Sequence, residues 1–229
     1  MMTLRKLAWM ALAGGFAVAP VAVLAKVVVV RSVGPSAKAY PPGKALTDTS
    51  SIKLNSGDSV TLLGPSTSRT LRGPGTFTAG TVDRSSLASA AGRRSRFGAM
   101  RSGEITSAPS LWDVDVTQSG KVCIAEPSKL KLWRPNADSA ATLAISGGPS
   151  PQSIAFPKGH ATVPWPTQLP VANGGEYQLE FANGGDKSIV SFVMVNAPPA
   201  DRVDAAQLLI DKGCQNQLEL LVETADKAD

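Results

Sequence analysis

Few residues in this chain of 229 could do chemistry: two cysteines, Cys123 and Cys214, and a single histidine, His160. An even cysteine count in an exported chain argues for a disulfide, and residues 1–25 read as an export leader. A Cys123–Cys214 bridge would close a loop of about 91 residues, for which the chain-entropy relation gives on the order of 4–5 kcal/mol before strain. Two buried thiols are the alternative. The pair lacks the CxxC spacing of a redox site, and one histidine with two cysteines falls short of the four good ligands that structural zinc requires.

The remaining candidates are single residues or short groups. His160, in Lys158-Gly159-His160-Ala161, is of the residue type that serves as a general base, but a lone loop histidine is more simply exposed. No Gly-x-Ser-x-Gly elbow, HExxH or P-loop accompanies it. Asp113 and Asp115 alternate with Trp112, Val114 and Val116 in LWDVDV, which reads as a strand with a solvent-facing carboxylate side rather than a catalytic pair. Trp165, in Val163-Pro164-Trp165-Pro166, would be a platform for a sugar ring or peptide if exposed. Folded back over a sheet edge, it would simply be core. Arg84, Arg93, Arg94, Arg96 and Arg101 follow one another with no acidic residue between them. They read as a solvated linker, or as a contact for an anionic lipid or glycan.

Residues 1–25 carry Arg5 and Lys6, then an uncharged apolar run, then Val23-Leu24-Ala25 as a cleavage site. An uncleaved membrane anchor is the other reading of that run. The formal charge is +5. Losing Arg5 and Lys6 with the leader leaves +3, too mild to argue nucleic acid from charge. Glycine and proline are abundant at 21 and 17 residues, as in turn-rich β proteins.

Hydropathy periods supply the framework that would hold these residues. Residues 26–31 (KVVVVR) form a β-branched first strand, followed by a Pro/Gly-rich connection over 32–44. A hairpin or β-arch spans 52–77, with turns at Asn55-Ser56-Gly57-Asp58 and Gly64-Pro65-Ser66 and a break at Gly73-Pro74-Gly75. Further strands are expected at 111–116, 122–124, 129–134, 143–145 and 154–156. A hairpin over 176–195 turns at Asn183-Gly184-Gly185-Asp186, and its return strand is expected to be central. After Pro198-Pro199 the period becomes helical, with Asp201 as N-cap, Gly213 as left-handed C-cap and a second short helix beyond.

The order of apolar strand, Gly-Pro loop, PPGKALTDTSSIKLNSGDSVTLL and TLRGPGTF resembles the FecR-like periplasmic β-domain, over residues 27–80. The resemblance is to exported proteins that carry this domain near the N-terminus. Ferric-citrate-type regulators also have a cytoplasmic anti-sigma segment; only six residues precede the apolar run here, so that mechanism and its residues do not carry over.

The chain is therefore expected to be mainly β. Its parts are a leader (1–25), a FecR-like β-domain (26–82), an Arg-rich linker (83–108), an immunoglobulin-like β-sandwich (109–197) and a helical tail on the second domain (198–229). The expected function is that of a non-catalytic, cofactor-free periplasmic or cell-envelope module that binds other envelope proteins. Binding of envelope glycan or anionic lipid through the arginines and Trp165 is the alternative. No nucleic-acid partner is expected, and no membrane span once the leader is cleaved.

Overall fold

Valine makes the first strand. The computed structural model describes residues 26–80 and 110–226, beginning with β1 (Lys26–Val33). Val27, Val28, Val29 and Val30 are all buried, which a β-branched run tolerates because each face of the strand is covered. Full burial of each valine contributes on the order of 1.5–3 kcal/mol. Val27 and Val29 face the core of the first unit, with Ile52, Leu54, Val60, Leu62 and Leu71. Val28 and Val30 face the other way, into a cluster built largely by the C-terminal helices.

The rest of the first unit is β2 (Ala45–Thr47), β3 (Ser51–Leu54), β4 (Ser59–Leu63), β5 (Ser68–Arg72) and β6 (Gly75–Thr78). The expected arch over 52–77 is in fact two nested hairpins. The inner pair, β4 and β5, joins β1 and β2 in a four-stranded sheet of order β2-β1-β4-β5, while the outer pair, β3 and β6, forms its own two-stranded sheet. The chain changes sheets at two adjacent corners. One is Asn55–Asp58, where Gly57 has φ 84°. The other is Gly73, whose N–H donates to the Asp58 carbonyl at 3.0 Å. A Cβ on Gly73 would collide with the Asn55 carbonyl oxygen, so this corner accepts only glycine.

The second unit contains β7 (Val114–Asp115), β8 (Gly120–Ile124), β9 (Lys131–Trp133), β10 (Ala141–Ser146), β11 (Gln152–Phe156), β12 (Thr162–Pro164), β13 (Glu176–Phe181) and β14 (Ser188–Met194). A five-stranded sheet of order β11-β10-β13-β14-β8 and a three-stranded sheet of order β12-β9-β7 bury a common core. Val114 and Leu132 come from the smaller sheet, and Leu143, Ile145, Phe156, Leu179, Val190 and Phe192 from the larger. The arrangement is sandwich-like. The β13–β14 hairpin turns where expected, with Gly184 at φ 84°, and β14 lies between β13 and β8. Pro164 sits in an edge strand, where its missing N–H costs no ladder bond.

One strand is shorter than its alternation suggests. Only Val114–Asp115 pairs within 111–116, because Asp113 N–H closes a turn onto the Ser110 carbonyl at 3.0 Å. Trp112 consequently packs with the helices, while Val114 and Val116 enter the sandwich core.

Two helices follow, α1 (Arg202–Lys212) and α2 (Gln215–Asp226). The Asp201 carboxylate caps α1 by accepting from Asp204 N–H at 2.8 Å. Gly213, at φ 74° and ψ 27°, ends it. Its N–H donates to the Ile210 carbonyl and that of Cys214 to the Leu209 carbonyl, the paired bonds of a Schellman motif. The helices are packed against both β units. Their core joins Val28, Val30 and Leu63 of the first to Cys123 and Val195 of the second, around Val203, Ala206, Leu209, Leu218 and Leu221. Arg202 also donates to the Ser66 carbonyl at 3.0 Å, and Arg31 pairs with Glu219 at 3.1 Å.

Candidate functional site

Cys123 and Cys214 form a disulfide. Cys123 lies on β8, an edge of the larger sheet, and Cys214 at the α1–α2 corner, where the Schellman turn presents it. Both are fully buried. The bridge therefore fastens the helix pair to the sandwich, at the point where that pair also meets β1. It occupies no open cleft, and it acts as a staple.

Gln217, which drew no notice in the sequence, completes this junction. It is buried, and its Oε1 accepts from Cys123 N–H at 2.6 Å. Its Nε2 donates to the carbonyls of Cys123 at 2.9 Å and Leu111 at 2.7 Å. A strand edge leaves backbone polar groups unpaired; here a side-chain amide supplies the missing partner.

Trp165 is not a ligand platform. It is only 6% exposed, its Nε1–H donates to the Leu169 carbonyl at 3.1 Å, and its ring stands edge-on to Tyr177 and Phe192, with centroids 5.1 and 5.0 Å away. The physical reason is area. The proline-flanked loop lies over the sandwich, and burying the indole there satisfies both its apolar body and its one donor.

His160 is exposed, with Nδ1 3.2 Å from the Lys158 carbonyl oxygen. The neighbouring polar feature is Arg134, buried although charged. Its Nε donates to the His160 carbonyl at 3.2 Å, and Nη2 to those of Ser139 at 2.8 Å and Pro157 at 3.1 Å. Its guanidinium lies 5.0 Å from the Phe156 ring centroid. Desolvation holds its pKa below the ordinary arginine value. Arg134 thus gathers three loop carbonyls and fixes the backbone that carries His160.

Asp113 and Asp115 do not act together. Asp115 Oδ1 accepts from the backbone N–H and the hydroxyl of Thr117. Burial pushes the Asp113 carboxyl above the ordinary aspartate value, opposed by the bond from Ser110 and by the charge of Lys131. Among the described residues, no three His, Cys, Asp or Glu side chains gather as a metal-ligand group.

The leader expected over 1–25 and the five arginines, Arg84, Arg93, Arg94, Arg96 and Arg101, lie outside the described residues. Among those described, no helix is long and apolar enough to cross a membrane.

The first unit carries an excess of cationic residues. Residues 26–80 contain seven Lys and Arg against two Asp. Of those two, Asp58 is buried and accepts from Ser36 N–H at 2.9 Å and from Asn55 N–H. Charge counting over the whole chain averages this asymmetry away. No protein-family model, curated protein or solved structure matches the chain.

Proposed function

We propose that this chain is an exported, non-catalytic protein of the periplasm or cell envelope that works by binding another protein through its β surfaces. In this reading the first unit is a FecR-like β-domain and the second an immunoglobulin-like sandwich, joined by the Arg-rich linker. The observation that carries it is the buried Cys123–Cys214 disulfide. A structural disulfide suits an oxidising compartment, and this one holds the helices that pack against both β units. The outcome is a scaffold with most of its chemistry spent on holding itself together.

Crosslinking of the tagged protein in its own cells, followed by mass spectrometry, tests this. Reproducible capture of one envelope protein, through contacts that map to β-strand residues, supports the reading. Exclusive recovery from the cytoplasm with both cysteines reduced would sink it.

Direct binding of an anionic lipid or glycan is the second reading. With Trp165 buried it loses its aromatic platform, and the positive first unit is what favours it.

A further inference from the structure

The connection from β1 to β2 is held in place along its length. A short 3-10 turn (Pro35–Lys38) opens it. Ala39 and Tyr40 N–H groups donate back to the carbonyls of Ser36 and Ala37, Lys44 N–H to that of Pro41, and Gly43 N–H to that of Val29 at 2.8 Å. The Asp58 carboxylate, held below the ordinary aspartate range by hydrogen bonds from the Ser36 side chain and backbone and from Asn55, ties the turn to the β3–β4 corner. Gly43 lies against Gln207 and Ile210 of α1, close enough that a Cβ would stand 3.1 Å from the Gln207 amide nitrogen.

This fixed loop carries Lys38, Tyr40 and Lys44, and Tyr40 ties it to the backbone of Lys53 on β3. Lys44 Nζ stands 5.2 Å from the Tyr40 ring centroid and donates to the Ala39 carbonyl at 2.7 Å, which leaves two of its N–H donors. The Tyr40 hydroxyl accepts from the backbone N–H of Lys53 at 2.9 Å. Lys38 lies two residues before Tyr40. All three lysine side chains are exposed, and none forms an ion pair with a carboxylate among the described residues. The same loop exposes Pro35, Ala39, Pro41 and Pro42, and Val33, which enters it, is 58% exposed. Cations alone would suit any polyanion. Tyr40 itself is half-buried against the core of the first unit and anchors the loop, so the exposed apolar surface is that of the prolines, Ala39 and Val33. Cations beside such a surface suit the boundary between headgroups and acyl chains, where lysine stems are accommodated.

We propose that the 34–44 loop and β3 form a contact surface for an anionic phospholipid membrane, with Lys38, Lys44 and Lys53 meeting the headgroup phosphates. This rests on the second reading, for which it names the surface and the lipid; its failure leaves the protein-binding reading to its own crosslinking test.

The test is co-sedimentation of the full chain with phosphatidylcholine vesicles, with and without phosphatidylglycerol. The variants are K38Q/K44Q/K53Q and a charge-matched control on the second unit, K129Q/K158Q/K187Q. Wild type and the control are expected to bind the anionic vesicles, to release them as salt is raised, and to leave the neutral vesicles unbound. The first triple variant, its melting temperature unchanged, is expected to bind about 100-fold more weakly, since each basic residue near an anionic surface contributes on the order of fivefold. Equal binding by the first triple variant and wild type overturns the proposal, as does equal loss in the control, which would reduce the effect to net charge. Failure of wild type to bind the anionic vesicles, or equal binding to neutral ones, overturns it too. Displacement from the vesicles by inorganic phosphate, at matched ionic strength, would overturn the membrane in favour of a site for free phosphate.

Discussion

The side-chain amide of Gln217 pairs with both backbone polar groups of Cys123, its Oε1 accepting at 2.6 Å and its Nε2 donating at 2.9 Å. A helix residue thereby stands in for a neighbouring strand at the β8 edge, one residue position from which the disulfide also departs. Without it, the buried N–H and C=O of Cys123 and the carbonyl of Leu111 would have no partner. Gln217→Leu is therefore expected to cost roughly 2–5 kcal/mol, the range for stranding two or three buried polar groups. Gln217→Glu keeps the acceptor but loses both donor bonds, so it is expected to destabilise as well. Urea denaturation of the two variants checks this. A shift of the midpoint no larger than that of an exposed substitution such as Gln215→Leu would show that the amide is not needed.

The disulfide encloses a loop of 91 residues that contains most of the sandwich. Cys123→Ser with Cys214→Ser is expected to lower stability by up to about 4–5 kcal/mol, the chain-entropy figure for so long a loop. Because both sulfurs are buried, reductant should act slowly on the folded protein and quickly once urea has opened it. Thiol alkylation against time, with and without sub-denaturing urea, reads this. Rapid labelling of the native protein would contradict the burial.

Trp165 belongs to the core, so its replacement should register as lost stability. Trp165→Ala is expected to cost about 3–5 kcal/mol, typical of a buried aromatic truncated to alanine, through loss of the contacts to Tyr177 and Phe192. Trp165→Phe, which keeps a ring but not the donor to Leu169, is expected to cost less. Thermal melts followed by near-ultraviolet circular dichroism measure both. An unchanged melting temperature in Trp165→Ala would return the residue to the surface.

Much of the framework was legible in the chain because local rules and tertiary packing agree there. Asp201 and Gly213 bound α1 as their capping chemistry requires, and Gly184 turns the β13–β14 hairpin. The even cysteine pair foretold the bridge. Legibility failed where a residue's partner is remote. Gln217 is an ordinary polar helix residue until β8 arrives beside it, 94 positions away in the chain. Arg134 continues an alternating run, and only the folding of two loops around it reveals its three carbonyl partners. Trp165 was ambiguous because a Pro-Trp-Pro loop has the same sequence whether it projects or folds back. The nested pairing of β3 with β6 outside β4 with β5 was hidden for a related reason. Turn residues announce that the chain reverses, not which sheet it rejoins.

Three aspartates should shape the acid limb of stability, with opposite signs. Hydrogen bonds from Ser36 and Asn55 hold the folded pKa of Asp58 below 3.8, and those from Asp204, its backbone foremost, do the same for Asp201. A carboxyl depressed on folding stabilises above its unfolded pKa, and that contribution is lost as pH falls through the folded value. Asp58 and Asp201 therefore weaken the fold progressively below about pH 4. Asp113 runs the other way. Burial raises its folded pKa, so its ionised form opposes folding at neutral pH, and protonation relieves that opposition as pH falls. Asp58→Asn and Asp201→Asn are accordingly expected to lower stability at pH 7 and to flatten the decline in acid. Asp201→Asn should do so mildly, because asparagine also caps helices well. Asp113→Asn is expected to raise stability at pH 7, with an advantage that shrinks toward acid. Melting temperatures of the three variants and wild type across that interval decide the matter. A gain for Asp113→Asn that persists undiminished at the acid end would mean the effect is packing and not charge.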